Sequence, residues 1–285
     1  MKIKIGTRAS KLALAQTNIV VEELKKKFPN IETEIVHIVS KGDTITDRPL
    51  SEIGGDGVFA AEHELAIKTK KIDVAVHSAK DLPVKLADGL EIIGVTKRGN
   101  PRDVLVSKKN AVTDIGKFTI GTCSLRRRKI SEKLFPNAEF MDIRGNIDTR
   151  ISKLKNGYCD GIILAAAGLE RLGIFDDKEL SFTVFDTDKF IPAPCQGIIA
   201  VEGEKGVLNE IFDAVSDENT RYCLETEREF LRVLGGSCSD PTGAFSEVTG
   251  DKITLTVTLD GKKYFRLCAN IADRFELAKE AVRKK

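Results

Sequence analysis

Ile72-Asp73-Val74-Ala75-Val76-His77-Ser78-Ala79-Lys80-Asp81-Leu82-Pro83 is the stretch that decides the fold. Ile72 to Val76 is apolar in four of five positions and rich in β-branched residues, too uniform for a strand with one wet face. It predicts a strand buried on both sides, as in a parallel sheet covered by helices. The polar run that follows, closed by Pro83, predicts a loop at the strand's carboxyl end, where open α/β sheets collect their ligands.

The flanks continue the pattern. Lys2–Ile5 predicts a strand, and Ser10 caps a helix whose Leu12, Ala15, Ile19 and Leu24 recur at helical spacing as far as Phe28. Residues 31–39 alternate as a strand, 59–70 read as a helix and 90–95 as a further strand, completing a βαβ order. Thr96-Lys97-Arg98-Gly99-Asn100-Pro101 interrupts this order as a crossover or hinge. From Val104 to about Phe190 the same order then returns: strand 119–121, helix 124–135, strand 139–143, helix 146–156 and strand 161–165. After Ile191-Pro192-Ala193-Pro194, Ile198–Val201 predicts a strand returning to the first domain, with a helix over 205–215.

From Glu218 the pattern changes. A helix with Cys223, Phe230 and Leu234 on one side ends at Gly235-Gly236. Ile253, Leu255, Val257 and Leu259 then alternate with threonines, Asp260-Gly261 signals a hairpin into Tyr264–Cys268, and a helix closes the chain from Ile271. The expected fold class is α/β: two domains with mixed, mainly parallel sheets, plus a small α+β domain with an antiparallel sheet. The expected boundaries are 1–96 with 197–216, 101–191, and 218–285.

The composition narrows function by exclusion. In 285 residues, 45 Lys and Arg against 43 Asp and Glu leave a net charge of +2, which is no bulk footprint for nucleic acid. The longest apolar run, Ile162–Ala167, is far below the roughly 18–20 residues that cross a bilayer, so no membrane partner is expected. Lys2-Ile3-Lys4-Ile5 offers no secretory apolar region, which makes the cytoplasm the expected compartment. The 6 cysteines are scattered, without zinc spacing, and are expected as thiols.

Four polar clusters follow expected strands: Thr7–Ser10, His77–Asp81, Thr122–Arg128 and Arg144–Arg150. Four such clusters on two domains point to a ligand cleft between them. Arg126, Arg127 and Arg128 fall in the first turn of a helix capped by Ser124, where the macrodipole disfavours cations by about 0.3–1 kcal/mol each. An anionic ligand is one reason to place them there; a solvated basic face is the plainer one. Arg8, Arg144 and Arg150 at other strand ends favour a polyanion, and no aromatic residues interleave with them as a single-strand nucleic-acid site needs.

Asp81, between Lys80 and Leu82-Pro83, is the candidate carboxylate for stabilising a developing cation or moving protons; the alternative is a turn-forming Asp. His77 reads as a structural histidine. Cys238, on Gly235-Gly236-Ser237-Cys238-Ser239-Asp240-Pro241, stands on a small-residue loop suited to carrying a covalent group, with Cys195 in Pro194-Cys195-Gln196-Gly197 as a competing loop thiol.

Together these segments resemble one family. GTRAS (6–10), KGDTI (41–45), GGDGVF (54–59), DVAVHSAKDLP (73–83), PRDVLVS (101–107), GTCSLRRR (121–128), IRGNIDTR (143–150), DGIILAAAGLERLG (160–173), PAPCQG (192–197) and GGSCSDPTG (235–243) are similar, in order and spacing, to the porphobilinogen deaminase (hydroxymethylbilane synthase) family. The resemblance implies two domains similar to periplasmic binding proteins and a smaller third. It implies a transferase that joins four porphobilinogen molecules into hydroxymethylbilane, with release of ammonia, in haem-type tetrapyrrole biosynthesis.

It also implies a dipyrromethane cofactor held by a thioether to Cys238, with Lys80, Ser78, Thr122, Ser124, Arg126, Arg127, Arg144 and Gly145 binding it. Arg8, Ser10, Arg144, Arg150 and Gln196 would bind porphobilinogen, and Asp81 would be the catalytic group. No metal is implied, and a monomer is expected. Three positions depart from the family pattern: Asp56 stands where lysine is usual, Ser237 where glycine commonly precedes the cofactor cysteine, and Cys123 where serine is frequent. The competing function is a non-catalytic, two-lobed organic-anion-binding protein.

Overall fold

The computed structural model describes residues 1–39, 60–109, 118–235 and 240–284. They form two compact units, Met1–Gly99 with Ile198–Leu224, and Asn100–Gly197 with Glu225–Lys285.

In the first unit, β1 (Lys2–Thr7), α1 (Lys11–Lys27), β2 (Glu32–His37), α2 (Ala61–Lys68), β3 (Val74–Ser78) and β4 (Leu90–Val95) are joined late in the chain by β10 (Ile199–Glu204). The sheet order is β2-β1-β3-β10-β4; β1 runs parallel to β2 and β3, and β10 runs antiparallel to both its neighbours. Ser10 caps α1 as expected, its hydroxyl accepting from Ala13 N at 3.3 Å. Val74 and Val76 pack with Ile3, Ile5, Leu24 and Phe212 on one face of the sheet, while Ala75 and Ile72 pack with Ile38 and Ile67 of the other. Strand β3 is thus apolar because both its faces are covered. It lies two residues later than the sequence predicts: Ile72 closes the turn after α2 through its N–H to Ala66 O, and His77 and Ser78 belong to the strand.

In the second unit, β5 (Asp103–Lys108), β6 (Thr119–Gly121), α3 (Leu125–Leu134), β7 (Glu139–Met141), α4 (Ile147–Lys155), β8 (Gly161–Ala165), α5 (Ala166–Arg171) and β9 (Leu180–Val184) form the sheet β7-β6-β8-β5-β9. Here β5 is the antiparallel strand. Each five-stranded sheet therefore has one reversed strand in fourth position, and that strand is the first element after the chain passes between units at 99–100 and at 197–198. β9 is not legible in the sequence, because as an edge strand it is largely exposed and shows little apolar contrast.

After β10, helix α6 (Asn209–Asp213) is shorter than the expected 205–215, because Leu208 at φ 62° cannot continue a helix. Helix α7 (Glu218–Leu234) precedes the meander β11 (Gly243–Thr249), β12 (Lys252–Thr258) and β13 (Tyr264–Asn270), and α8 (Arg274–Arg283) covers it with Leu277, Ala278 and Ala281. The antiparallel third sheet matches expectation except for β11, which the sequence does not announce.

Candidate active site

The polar clusters gather in pairs, one pair in each unit. In the first unit, β1 and β3 are parallel neighbours, so the turn after Thr7 lies beside the turn after Ser78 at the carboxyl edge of the sheet. Arg8, Ser10, Ser78 and Lys80 are half-buried there and Asp81 is exposed. Ser78 Oγ accepts from Gln16 Nε2 at 2.8 Å, a buried partner on α1 that the sequence did not single out. Ala79–Asp81 forms a single 3-10 turn, and the Ala79 N–H donates to Ile198 O at 3.0 Å. Asp81 is therefore a carboxylate facing solvent from a turn fixed at its base, beside two cationic side chains on the same sheet edge.

In the second unit, β6 and β7 are parallel, which brings the turn at Thr122–Ser124 beside the turn at Asp142–Asn146. Ser124 caps α3, accepting from Arg127 N at 3.4 Å, and Thr122 Oγ1 accepts from Ser124 N at 3.1 Å. Asn146 caps α4 in the same way, and Arg150 Nε returns to Gly145 O at 2.8 Å. Gly145 is required at φ 110°, and a Cβ there would stand 2.7 Å from Thr149. Two helix N-termini, two hydroxyls and the half-buried Arg144 and Arg150 thus share one sheet edge, a donor set suited to carboxylates.

Arg126 and Arg127 have an internal partner: they are 3% and 7% exposed and held by the fully buried Asp103. Arg126 Nη1 reaches Asp103 Oδ2 at 2.8 Å and Ile191 O at 2.7 Å; Arg127 places Nε and Nη2 on Asp103 Oδ1 at 2.9 and 2.7 Å, and Nη1 on Ile163 O at 2.9 Å. The anion that justifies two cations in the first turn of α3 is internal. The triad keeps one net positive charge beneath the half-site, and burial pulls the Arg126 pKa below its ordinary value, with Asp103 opposing that shift. The third arginine, Arg128, lies at the surface against Glu132 and the Phe140 ring.

Gln196 is fully buried, and its Nε2 donates to Pro101 O at 2.8 Å, clamping the crossover backbone. The preceding Cys195 is buried at φ 62°, its N–H bonded to the buried Glu227 carboxylate, which removes it as an accessible loop thiol. Glu227 also accepts from Ser246 N and Oγ, both at 2.7 Å, tying α7 to β11. Neither Glu227 nor Asp103 was singled out in the sequence; for Asp103 the available signal is an acidic residue beside an apolar strand. Cys238, Ser237 and Asp56 lie outside the described residues. Among the described residues no group of His, Cys, Asp or Glu could hold a metal ion, and no helix is long and apolar enough to cross a membrane.

Two family models cover nearly all of this architecture. "Porphobilinogen deaminase, dipyromethane cofactor binding domain" matches residues 3–209, and "Porphobilinogen deaminase, C-terminal domain" matches residues 221–284. The chain belongs to the porphobilinogen deaminase family. A porphobilinogen deaminase of Acetivibrio thermocellus is 43% identical over 268 residues, covering 93% of this chain and 90% of that protein. Another, of Desulfosudis oleivorans, is 41% identical over 274 residues, covering 93% and 87%. Among solved structures, the substrate binding domain of a putative molybdenum ABC transporter from Clostridium difficile is 11% identical with a TM-score of 0.45, over 79% of this chain and 96% of that one.

The family's dipyrromethane carries acetate and propionate carboxylates, and the cluster in each unit fits such a group by the chemistry of its side chains: hydroxyls and cations at Ser10, Ser78, Arg8 and Lys80 in the first, and at Thr122, Ser124, Arg144 and Arg150, with two helix N-termini, in the second.

Proposed function

We propose that the chain joins four porphobilinogen molecules stepwise into hydroxymethylbilane with loss of ammonia, as a cytoplasmic monomer, and that it is a hydroxymethylbilane synthase by its full reaction. Domains 1–96 with 197–216 and 101–191 would supply the two half-sites, and 218–285 would carry the cofactor cysteine. The observation that carries this reading is the solvent-facing Asp81, standing on a sheet edge it shares with Arg8 and Lys80.

Cys238 would hold dipyrromethane through a thioether, with Lys80, Ser78, Thr122, Ser124, Arg144 and Gly145 around its carboxylates and the Arg126–Asp103–Arg127 triad adding positive potential. Bound there, the group supplies the free pyrrole α-carbon from which the chain grows. Arg8, Ser10, Arg144 and Arg150 would hold the acetate and propionate of the incoming porphobilinogen. When its aminomethyl carbon–nitrogen bond breaks and nitrogen leaves as ammonia, a delocalised pyrrole cation remains. The Asp81 carboxylate stabilises that cation and then takes the proton released once the new carbon–carbon bond has formed. The cationic side chains and hydroxyls would receive the carboxylates, and Asp81 would supply the base.

Intact mass is the test of attachment. The purified protein should exceed its sequence mass by a dipyrromethane, and Cys238→Ser should remove the excess; an active protein of unmodified mass would overturn the assignment. For the chemistry, Asp81→Asn should leave folding and adduct intact while slowing turnover by roughly 10²–10⁴-fold. Near-parental turnover would reject Asp81 as the base. The family match across both 3–209 and 221–284 leaves a purely anion-binding role without support.

A further inference from the structure

A buried polar cluster in the first unit has no part in the chemistry above. Glu202 of β10 is fully buried in the middle of the sheet, and its Oε2 lies 3.1 Å from His77 Nε2. The His63 ring, also buried, stands edge-on to His77 with centroids 5.0 Å apart. The His77–Glu202 vector is off the line of a full hydrogen bond, and neither Glu202 oxygen has a hydrogen-bond partner among the described residues. A carboxylate buried on those terms contributes little to stability, so its presence calls for another role.

The sheet register supplies that role. β10 pairs antiparallel with β3 so that Ala200 opposes His77 and Glu202 opposes Ala75, which puts Glu202 and His77 diagonally on one face. The opposite face carries the aliphatic core of Val74, Val76, Ile93 and Val201. A slip of β10 by one residue would drive the carboxylate into that core. The need for such a pin is visible on the other side of the same strand, where the pairing with β4 is irregular between Val201 and Glu202.

Strand β3 runs directly into the turn that bears Lys80 and Asp81. A 3-10 turn of three residues has little stability of its own, and its base is tied to the residue before β10 by Ala79 N–H to Ile198 O. We propose that Glu202, acting through His77, is a positioning residue: the pair fixes the register of β10 on β3 and thereby the place of Asp81. This rests on Asp81 being the catalytic carboxylate, and the experiment separates the two.

Glu202→Gln and the apolar pair variant H77L/E202M are compared with the parent by hydrogen exchange, by steady-state kinetics per cofactor-loaded molecule and by thermal unfolding, with Asp81→Asn alongside. The amides of Ala79 and Thr96 bond to Ile198 O and Ile199 O, while Ile38 bonds to Thr7 O elsewhere in the sheet and serves as control. In both variants Ala79 and Thr96 should exchange about tenfold faster and Ile38 should hold its rate. Their kcat should fall about tenfold to a hundredfold with KM nearly unchanged, since a misplaced catalytic group costs rate and not binding. The pair variant, with no orphaned charge, should unfold near the parent temperature and still be slow.

Unchanged exchange at Ala79 and Thr96 would overturn the proposal. So would parental turnover of the pair variant, or of Glu202→Gln while Asp81→Asn is inactive. Faster exchange together with a fully active Asp81→Asn would uphold the register pin and reject the role of Asp81.

Discussion

Asp103→Asn tests the buried arginine triad directly. Asp103 accepts three charge-assisted bonds, from Arg126 Nη1 at 2.8 Å and from Arg127 Nε and Nη2 at 2.9 and 2.7 Å, with all three residues almost wholly out of solvent. The amide keeps the shape but removes the charge and turns one acceptor oxygen into a donor facing a guanidinium. Two cations then share a dry site, and burial already depresses the Arg126 pKa against the pull of Asp103.

Breaking a buried pair by removing one partner costs about 3–5 kcal/mol. For a unit of this size that corresponds to a fall in Tm of about 6–20 °C. Calorimetry or circular dichroism on the purified protein reads it, and Arg126→Met combined with Asp103→Asn should lose less than the sum of the two. A Tm for Asp103→Asn within about 2 °C of the parent would refute the argument and return both arginines to a ligand-facing role.

Gln196→Leu should lower stability by about 1–3 kcal/mol, because Pro101 O loses its buried donor, with KM for porphobilinogen unchanged; a large rise in KM at parental Tm would put Gln196 back at the substrate. The Asp160 carboxyl is held below its ordinary value of 3.8 by the hydroxyl and N–H of Thr119. Its folded pKa is depressed, so its contribution is complete above the unfolded pKa and is lost as pH falls through the folded one. Asp160→Asn should therefore flatten the dependence of Tm on pH below about pH 4, and an unchanged acid slope would contradict this.

The sequence was legible where one local rule acted alone. Ser10 and Ser124 cap helices because a short polar side chain ahead of a helical repeat has few better uses, and both accept from the third residue on. The apolar run before His77 named a strand covered on both faces, and the order of segments named the family. The edge strand β9 and the strand β11 were not legible, since their pairing depends on partners far along the chain.

By itself, then, the sequence determined the α/β order, the strand-end placement of the polar clusters and the family, because periodicity, caps and motif spacing are local or ordered properties of the chain. The tertiary structure alone decided which polar residues take internal partners. Arg126, Arg127 and Gln196 look in sequence like their neighbours Arg144 and Arg150, and only folding brings Asp103 and the Pro101 carbonyl against them. A buried charge or amide takes the nearest partner that offsets its desolvation, and which partner is nearest is fixed by how the strands pack, not by position along the chain.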